Sequence, residues 1–172
     1  MLSEDSSEEN GPDEELGRTS LDVDDLDCLE GLLSFYMRSA NYALSTDLDA
    51  RLGDLAVARG TGKITALLLI DSHPGIRASA IAEATLRDRP SISRIITHLL
   101  DHDLITKREI PAERRAFGLY ITEKGHSLAE EVRRIVKRQS DDFFADLPEK
   151  DREDLLRITR NIYVKIRKER AE

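Results

Sequence analysis

Apolar residues recur at intervals of three and four along most of this chain and switch to strict alternation only once. Leu26, Leu29, Leu33, Tyr36, Met37, Ala40 and Leu44 lie on one helical stripe, so a long amphipathic helix is predicted, capped by Ser20 or Asp22. Ser45-Thr46 does not break it, and Leu48, Leu52, Leu55 and Ala56 carry the stripe to a break at Gly60-Thr61-Gly62. Residues 64–72 are almost wholly apolar between breakers, which predicts a short buried helix ended by His73-Pro74-Gly75. Residues 78–86 read as a third helix with Ile81, Ala82 and Leu86 inward, and residues 85–89 as a turn.

Pro90 suits the first turn of the next helix, where its missing N–H costs nothing. There Ile92, Ile95, Ile96, Leu99 and Leu100 form the apolar face, opposite Ser91, Arg94, His98 and Asp101. Alternation begins at residue 104. LITKREIPAERRAFGLYITEKG reads as a β-hairpin with Arg114 and Arg115 at its tip, held by Phe117, Leu119 and Ile121 packing on the core. Thr122 caps a long helix through Leu128, Val132, Ile135, Val136, Gln139 and Phe143, broken at Leu147-Pro148. A last helix carries Leu155, Leu156, Ile158, Ile162 and Ile166. Its basic final turn (Lys165, Arg167, Lys168, Arg170) suits the helix dipole. The expected fold is mainly α with one hairpin, in four regions: an acidic tail over 1–19, an N-terminal helical region over 20–60, a winged helix-turn-helix over 63–122, and C-terminal helices over 123–172.

Charge sharpens this picture. The formal net charge is −8, which by itself disfavours nucleic acid. Residues 1–19 hold seven acids and one Arg, and residues 20–57 hold eight acids and two Arg. Residues 77–125 hold nine Lys/Arg against seven acids. The helix-turn-helix and hairpin are therefore basic inside an acidic chain. The tail lacks bulky apolar residues and cannot offset its ordering entropy by burial, so it is expected to be disordered. It serves either as a solubilising tail or as an arm competing with DNA for the basic surface. No apolar run approaches the ~20 residues of a membrane span, and the acidic N-terminus is unlike a signal peptide, so the cytoplasm is the expected location and no membrane partner is expected. No glycine-rich phosphate loop, metal set or nucleophile–base pair appears, so neither enzymatic activity nor a cofactor is expected.

A short helix, a brief turn, a second helix and a charged wing form a DNA-reading tool. The second helix fits the major groove, with Arg87, Arg89, Ser91, Ser93, Arg94 and His98 as candidate contacts. Arg94 either pairs with a guanine edge or clamps a phosphate, and Ser93 either faces the groove or packs inward. At the tip one of Arg114 and Arg115 pairs with Glu113 while the other reaches a narrow minor groove.

PAERRAFGLYITEKG resembles the wing of MarR-type regulators, in which an Asp-x-Arg tip precedes an apolar strand and Leu-Thr-x-x-Gly. The likeness extends back through DSHPGIRASAIAEATLRDRPSISRIITHLLDHDLITKR, in element order over residues 26–168 and residue by residue over 64–125. Glu113 stands where that family has Asp, Asp103 where it has the Gly before the wing, and Ile121 where it has Leu. The Gly at the Asp103 position often adopts positive φ, which Asp tolerates at some cost. The resemblance implies a winged helix-turn-helix with long N- and C-terminal dimerisation helices, Arg115 as the minor-groove residue, and a ligand-responsive homodimeric repressor on a pseudo-palindromic duplex operator. It also implies a small aromatic or anionic effector near the first helix, where Tyr36, Arg38 and Tyr42 are the candidates.

Two other roles compete. A winged-helix protein–protein adaptor would use the acidic surface and leave no DNA footprint. A redox sensor would use Cys28, whose neighbours Asp25, Asp27 and Glu30 disfavour a thiolate. His98 and His102, four residues apart, lack the further ligands of a metal site, and none is expected.

Overall fold

The computed structural model describes residues 21–22, 24–110 and 113–170, with the side chains of residues 110 and 113–116 outside that description. The acidic tail, Ser20, the tip residues Pro111 and Ala112, and the side chains of Glu113, Arg114 and Arg115 therefore lie outside it. The chain divides into two compact units, residues 1–41 and 42–172.

In the first unit, a 3₁₀ turn at Asp27–Leu29 precedes helix α1, Leu33–Leu52, which begins here and ends in the second unit. The expected start at Ser20 or Asp22 is corrected. Asp25, Leu29 and Leu32 each donate an amide to the carbonyl three residues back. Asp27 sits at φ 53°, a left-handed conformation that interrupts an α-helix. The apolar spacing of Leu26 and Leu29 is thus carried by tight turns. Cys28 lies exposed in this stretch.

The second unit continues α1 to Gly53, at φ 53°, so Ser45-Thr46 indeed leaves the helix intact. Helices α2 (Thr61–Ser72), α3 (Ala78–Thr85) and α4 (Arg89–Asp101) follow, then strands β1 (Ile105–Ile110) and β2 (Glu113–Ile121), then α5 (Glu123–Phe143) and α6 (Glu149–Glu169). The strands pair antiparallel from Ile105 opposite Ile121 to Glu109 opposite Phe117, with a register shift before Ile110. Gly75 and Ile76 bridge to Leu119, so the turn after α2 is stitched to the wing.

The core is filled by aliphatic side chains, as the scarcity of aromatics requires. Leu67, Ile70, Ile81, Ile92, Leu99, Leu104, Leu119 and Val132 are all almost fully buried. Helix α2 is the hub, packing on α3, α4, α5 and β2. Its Gly60-Thr61-Gly62 segment opens the helix and does not merely precede it. One core expectation fails: Phe117 is 49% exposed, while Leu119 is buried and Ile121 half-buried. The wing leaves the core beyond Leu119, so the alternation continues past the point where there is a core to face.

Helix α6 buries no residue, and Leu155, Leu156, Ile158 and Ile162 are exposed. Its C-terminal half grips the end of α3: Tyr163 Oη donates to the Ala84 carbonyl at 2.8 Å, Arg167 pairs with Glu83, and Arg170 Nη1 donates to the Leu86 carbonyl at 2.6 Å. Among the described residues no helix is long and apolar enough to cross a membrane.

Candidate nucleic-acid interface

The turn between α3 and α4 is set by two backbone devices. Leu86 caps α3 in the left-handed conformation at φ 56°, and its amide returns to the Glu83 carbonyl at 3.3 Å. Asp88 then caps α4, accepting from the Ser91 amide at 2.6 Å and from the Ser91 hydroxyl at 2.9 Å. Those bonds, the amide first, hold the Asp88 carboxyl below its usual range. Pro90 lies in the first turn of α4, as its missing N–H allows.

This capping fixes where the candidate residues point. Ile92, Ile96 and Leu99 anchor α4 in the core. Arg89, Ser93 and Arg94 are exposed on its N-terminal half. Ser91 is half-buried and committed to Asp88, so it shapes the helix start, and Arg94 Nη2 approaches its hydroxyl at 3.5 Å. Ser93 faces outward and, with Arg89, Lys107 and Phe117, lines a recess of about 450 Å³ between α3, α4 and the wing. Arg87 is exposed and touches the Thr61 hydroxyl at 3.4 Å.

His98 departs from the expected outward face. It is half-buried, with Nε2 2.7 Å from the Ala56 carbonyl, and it braces the segment between α1 and α2. That carbonyl belongs to a non-helical turn and needs a donor, a demand invisible in the spacing of α4. His102 stacks beside His98, ring centres 4.2 Å apart. Among the described residues no group of three His, Cys, Asp or Glu side chains is arranged for a metal.

The wing is held by its root. Asp103 adopts φ 56°, the left-handed conformation expected where the resemblance has Gly. The Leu104 carbonyl accepts the Thr122 amide at 3.0 Å, and the Thr122 hydroxyl lies between the Asp103 carbonyl at 2.8 Å and the Leu104 carbonyl at 3.0 Å, donating to one or the other. Thr122 Oγ1 in turn accepts from the Gly125 amide at 3.0 Å, capping α5. Gly125 lies against the same carbonyl so closely that a Cβ there would stand 2.0 Å from Leu104 O. Along the strands Arg108 sits over the Tyr120 ring, 4.5 Å from its centre. The backbone of Arg114 and Arg115 belongs to β2, which places both residues at the far end of the wing from this root.

The candidate effector residues fall in both units. Tyr36 and Arg38 are exposed on α1 of the first unit, two positions and therefore about 200° apart. Tyr42, in the second unit, is 74% exposed.

Sequence reasoning missed Arg59 and Lys63, which flank the Gly60-Thr61-Gly62 break. Arg59 sits at φ 58° with its amide held by the Asp49 carboxylate at 2.8 Å. Lys63 Nζ donates to the Ala58 carbonyl. The one available signal was a pair of cations around two glycines just before an apolar helix.

A helix-turn-helix with a solvent-facing basic helix start and an antiparallel wing defines a winged-helix fold. Residues 62–117 match the MarR family model. The match spans the helix-turn-helix and most of the wing, the stretch on which the resemblance to MarR-type regulators rests. A Thauera aromatica protein described as a transcriptional regulatory protein for the hcr operon is 29% identical over 135 residues, covering 78% of this chain and 81% of its own. A Listeria monocytogenes protein described as a MarR family regulator, solved with a 26-mer DNA, shares the fold at TM-score 0.73 and 20% identity, covering 80% and 91% of the two chains. The repressor CouR shares it in two structures. One is bound to a 23-mer duplex, at TM-score 0.71 and 24% identity over 78% and 94% of the chains. The other, from Rhodococcus jostii RHA1, is bound to p-coumaroyl-CoA, at TM-score 0.70 and 14% identity over 80% and 95%.

Proposed function

We propose that the chain is a cytoplasmic, ligand-responsive homodimeric repressor that binds a pseudo-palindromic duplex operator. In this reading α4 enters the major groove with Arg89, Ser93 and Arg94 forward, Arg87 flanks it, and Arg115 carries the wing into the minor groove beside Arg114. Ser91 and His98 contribute by holding α4 in place. The observation that carries the reading is the exposed basic start of α4 beside a wing rooted rigidly at Leu104. The DNA-bound Listeria and CouR folds support it.

The exposed Leu155, Leu156, Ile158 and Ile162 on α6 support a two-fold dimer, which would set half-sites about one helical turn apart. The CouR complex with an aromatic acyl thioester supports a small aromatic or anionic effector, with Tyr36, Arg38 and Tyr42 as its candidate contacts.

Selection of bound genomic fragments followed by fluorescence anisotropy tests the reading. The expected result is salt-dependent binding to a pseudo-palindrome, weakened about fivefold or more by Arg94→Ala and by Arg115→Ala. Removing one good base pairing costs ~1–3 kcal/mol. Wild-type protein that enriches no duplex and leaves no footprint refutes it.

A further inference from the structure

A cleft of about 400 Å³ opens between the start of α2 and the outer face of α4. Four cations line it: Arg59 and Lys63 from the α1–α2 side, Arg87 from the turn, and Arg94 from α4. No carboxylate lines it, and among the described residues none of the four forms a salt bridge. In a chain of net charge −8 this is a local concentration of positive charge with no ion pair to any of the four.

The cleft is built rather than accidental. Arg59 is a non-glycine residue held in the left-handed region, a conformation costing on the order of 1–3 kcal/mol. The Asp49 carboxylate secures it there through the backbone amide and leaves the guanidinium unused. Lys63 is steadied by one bond to the Ala58 carbonyl, so two of its three ammonium protons remain. Arg87 lies across Gly62, where a Cβ would stand 3.0 Å from its Nε. The Asp88 carboxylate faces Arg94 electrostatically but is hydrogen-bonded to Ser91 and makes no ion pair with it.

We propose that this cleft seats a phosphodiester of the DNA backbone, with Arg59 and Lys63 as the anchoring pair. Its wall includes Ser91 and Arg94, so it is continuous with the helix that meets the duplex, and the partner's charge is opposite. The contact fixes register and carries no base preference. It rests on the proposed DNA-binding reading and adds to it a backbone clamp on the side of α4 formed by α2.

The test uses the full-length protein and the duplex selected by the wild type. Arg59→Gln and Lys63→Gln, singly and together, keep polar side chains, and circular dichroism melts verify folding. Anisotropy titrations across salt concentrations give the slope of log affinity against log salt. The slope should fall by ~0.9 for each phosphate no longer neutralised, with equal weakening on selected and scrambled duplexes. A neutral methylphosphonate stepped along each strand gives a second readout that also works on the wild type alone. One position should weaken the wild type several-fold and leave the double variant unaffected.

Unchanged slopes with intact wild-type binding overturn the clamp and leave the DNA-binding reading standing. A methylphosphonate scan in which every position affects wild type and variant alike also overturns it. If inorganic phosphate stabilises the wild type but not the double variant while duplex binding is unchanged, the cleft serves a free anion and the proposal fails. A wild type that binds no duplex at all refutes the underlying reading instead.

Discussion

Replacing Gly125 by Ala tests the root of the wing. The added Cβ would stand 2.0 Å from the Leu104 carbonyl oxygen and 2.9 Å from its carbon, both backbone atoms that no rotamer change can move. Reaching even the tightest tolerated contact, 3.0 Å, requires α5 and the residue before β1 to separate by about 1 Å. That movement strains the Thr122 amide bond to Leu104 and the Thr122 hydroxyl bond to the Asp103–Leu104 carbonyl pair, worth ~1 kcal/mol each. Overpacking adds roughly 1–3 kcal/mol, and the better helix propensity of Ala returns ~1 kcal/mol. The expected net loss is about 2–4 kcal/mol, or roughly 4–16 °C in melting temperature for a chain of this size. Thermal melts by circular dichroism measure it, and hydrogen exchange should show the Thr122 and Gly125 amides losing protection first. Gly31→Ala is the control, because nothing lies within 4 Å of its Cβ position, and it should shift stability by no more than about 0.5 kcal/mol. A Gly125→Ala protein melting at or above the wild type would refute the reasoning.

Two further outcomes follow from α2. Leu67 is fully buried at the hub, so Leu67→Ala should cost about 2–5 kcal/mol in chemical denaturation; a loss below about 1 kcal/mol would mean that the site collapses around the change. Asp71, near the end of α2 with its side chain 5% exposed, receives His126 Nδ1 at 2.7 Å and also pairs with Arg133. The hydrogen bond and then the charge of Asp71 raise the His126 pKa, Glu130 adds to this, and Arg133 opposes it. The stability from this pair is therefore fully present below about 6.5, the unfolded value, and is lost as pH rises through the higher folded value. Melting temperature from about pH 5.5 to 9 should fall in the wild type relative to His126→Gln, and parallel profiles would contradict the pairing.

The parts legible in the sequence are those decided by local chemistry. The apolar stripe of α4, Pro90 in its first turn, Thr122 as a cap and the left-handed Asp103 all reflect constraints within a few residues. The parts that were not legible depend on contacts distant in sequence. His98 turns inward for a carbonyl 42 residues away. Phe117 keeps its alternation after the core has ended. The early start of the first helix fails because Asp27 leaves the α region, although the apolar spacing runs straight through it. Arg59 and Lys63 flank the Gly60-Thr61-Gly62 break, and only the fold sets them opposite Arg87 and Arg94. The wing arginines are expected at the tip from their place between two alternating runs, and the structure displays the pairing of those runs.

The Leu104 carbonyl, gripped by Thr122 and pressed by Gly125, makes a lever of the wing and α5. A six-residue strand such as β1 spans about 20 Å, so a rotation of α5 by about 5° around this pivot sweeps the far end of the hairpin by about 1.7 Å. That is about the difference between a guanidinium seated in a groove and one lifted out of it. Small rotations of a long helix would thereby be geared up into larger motion at the far end of the wing.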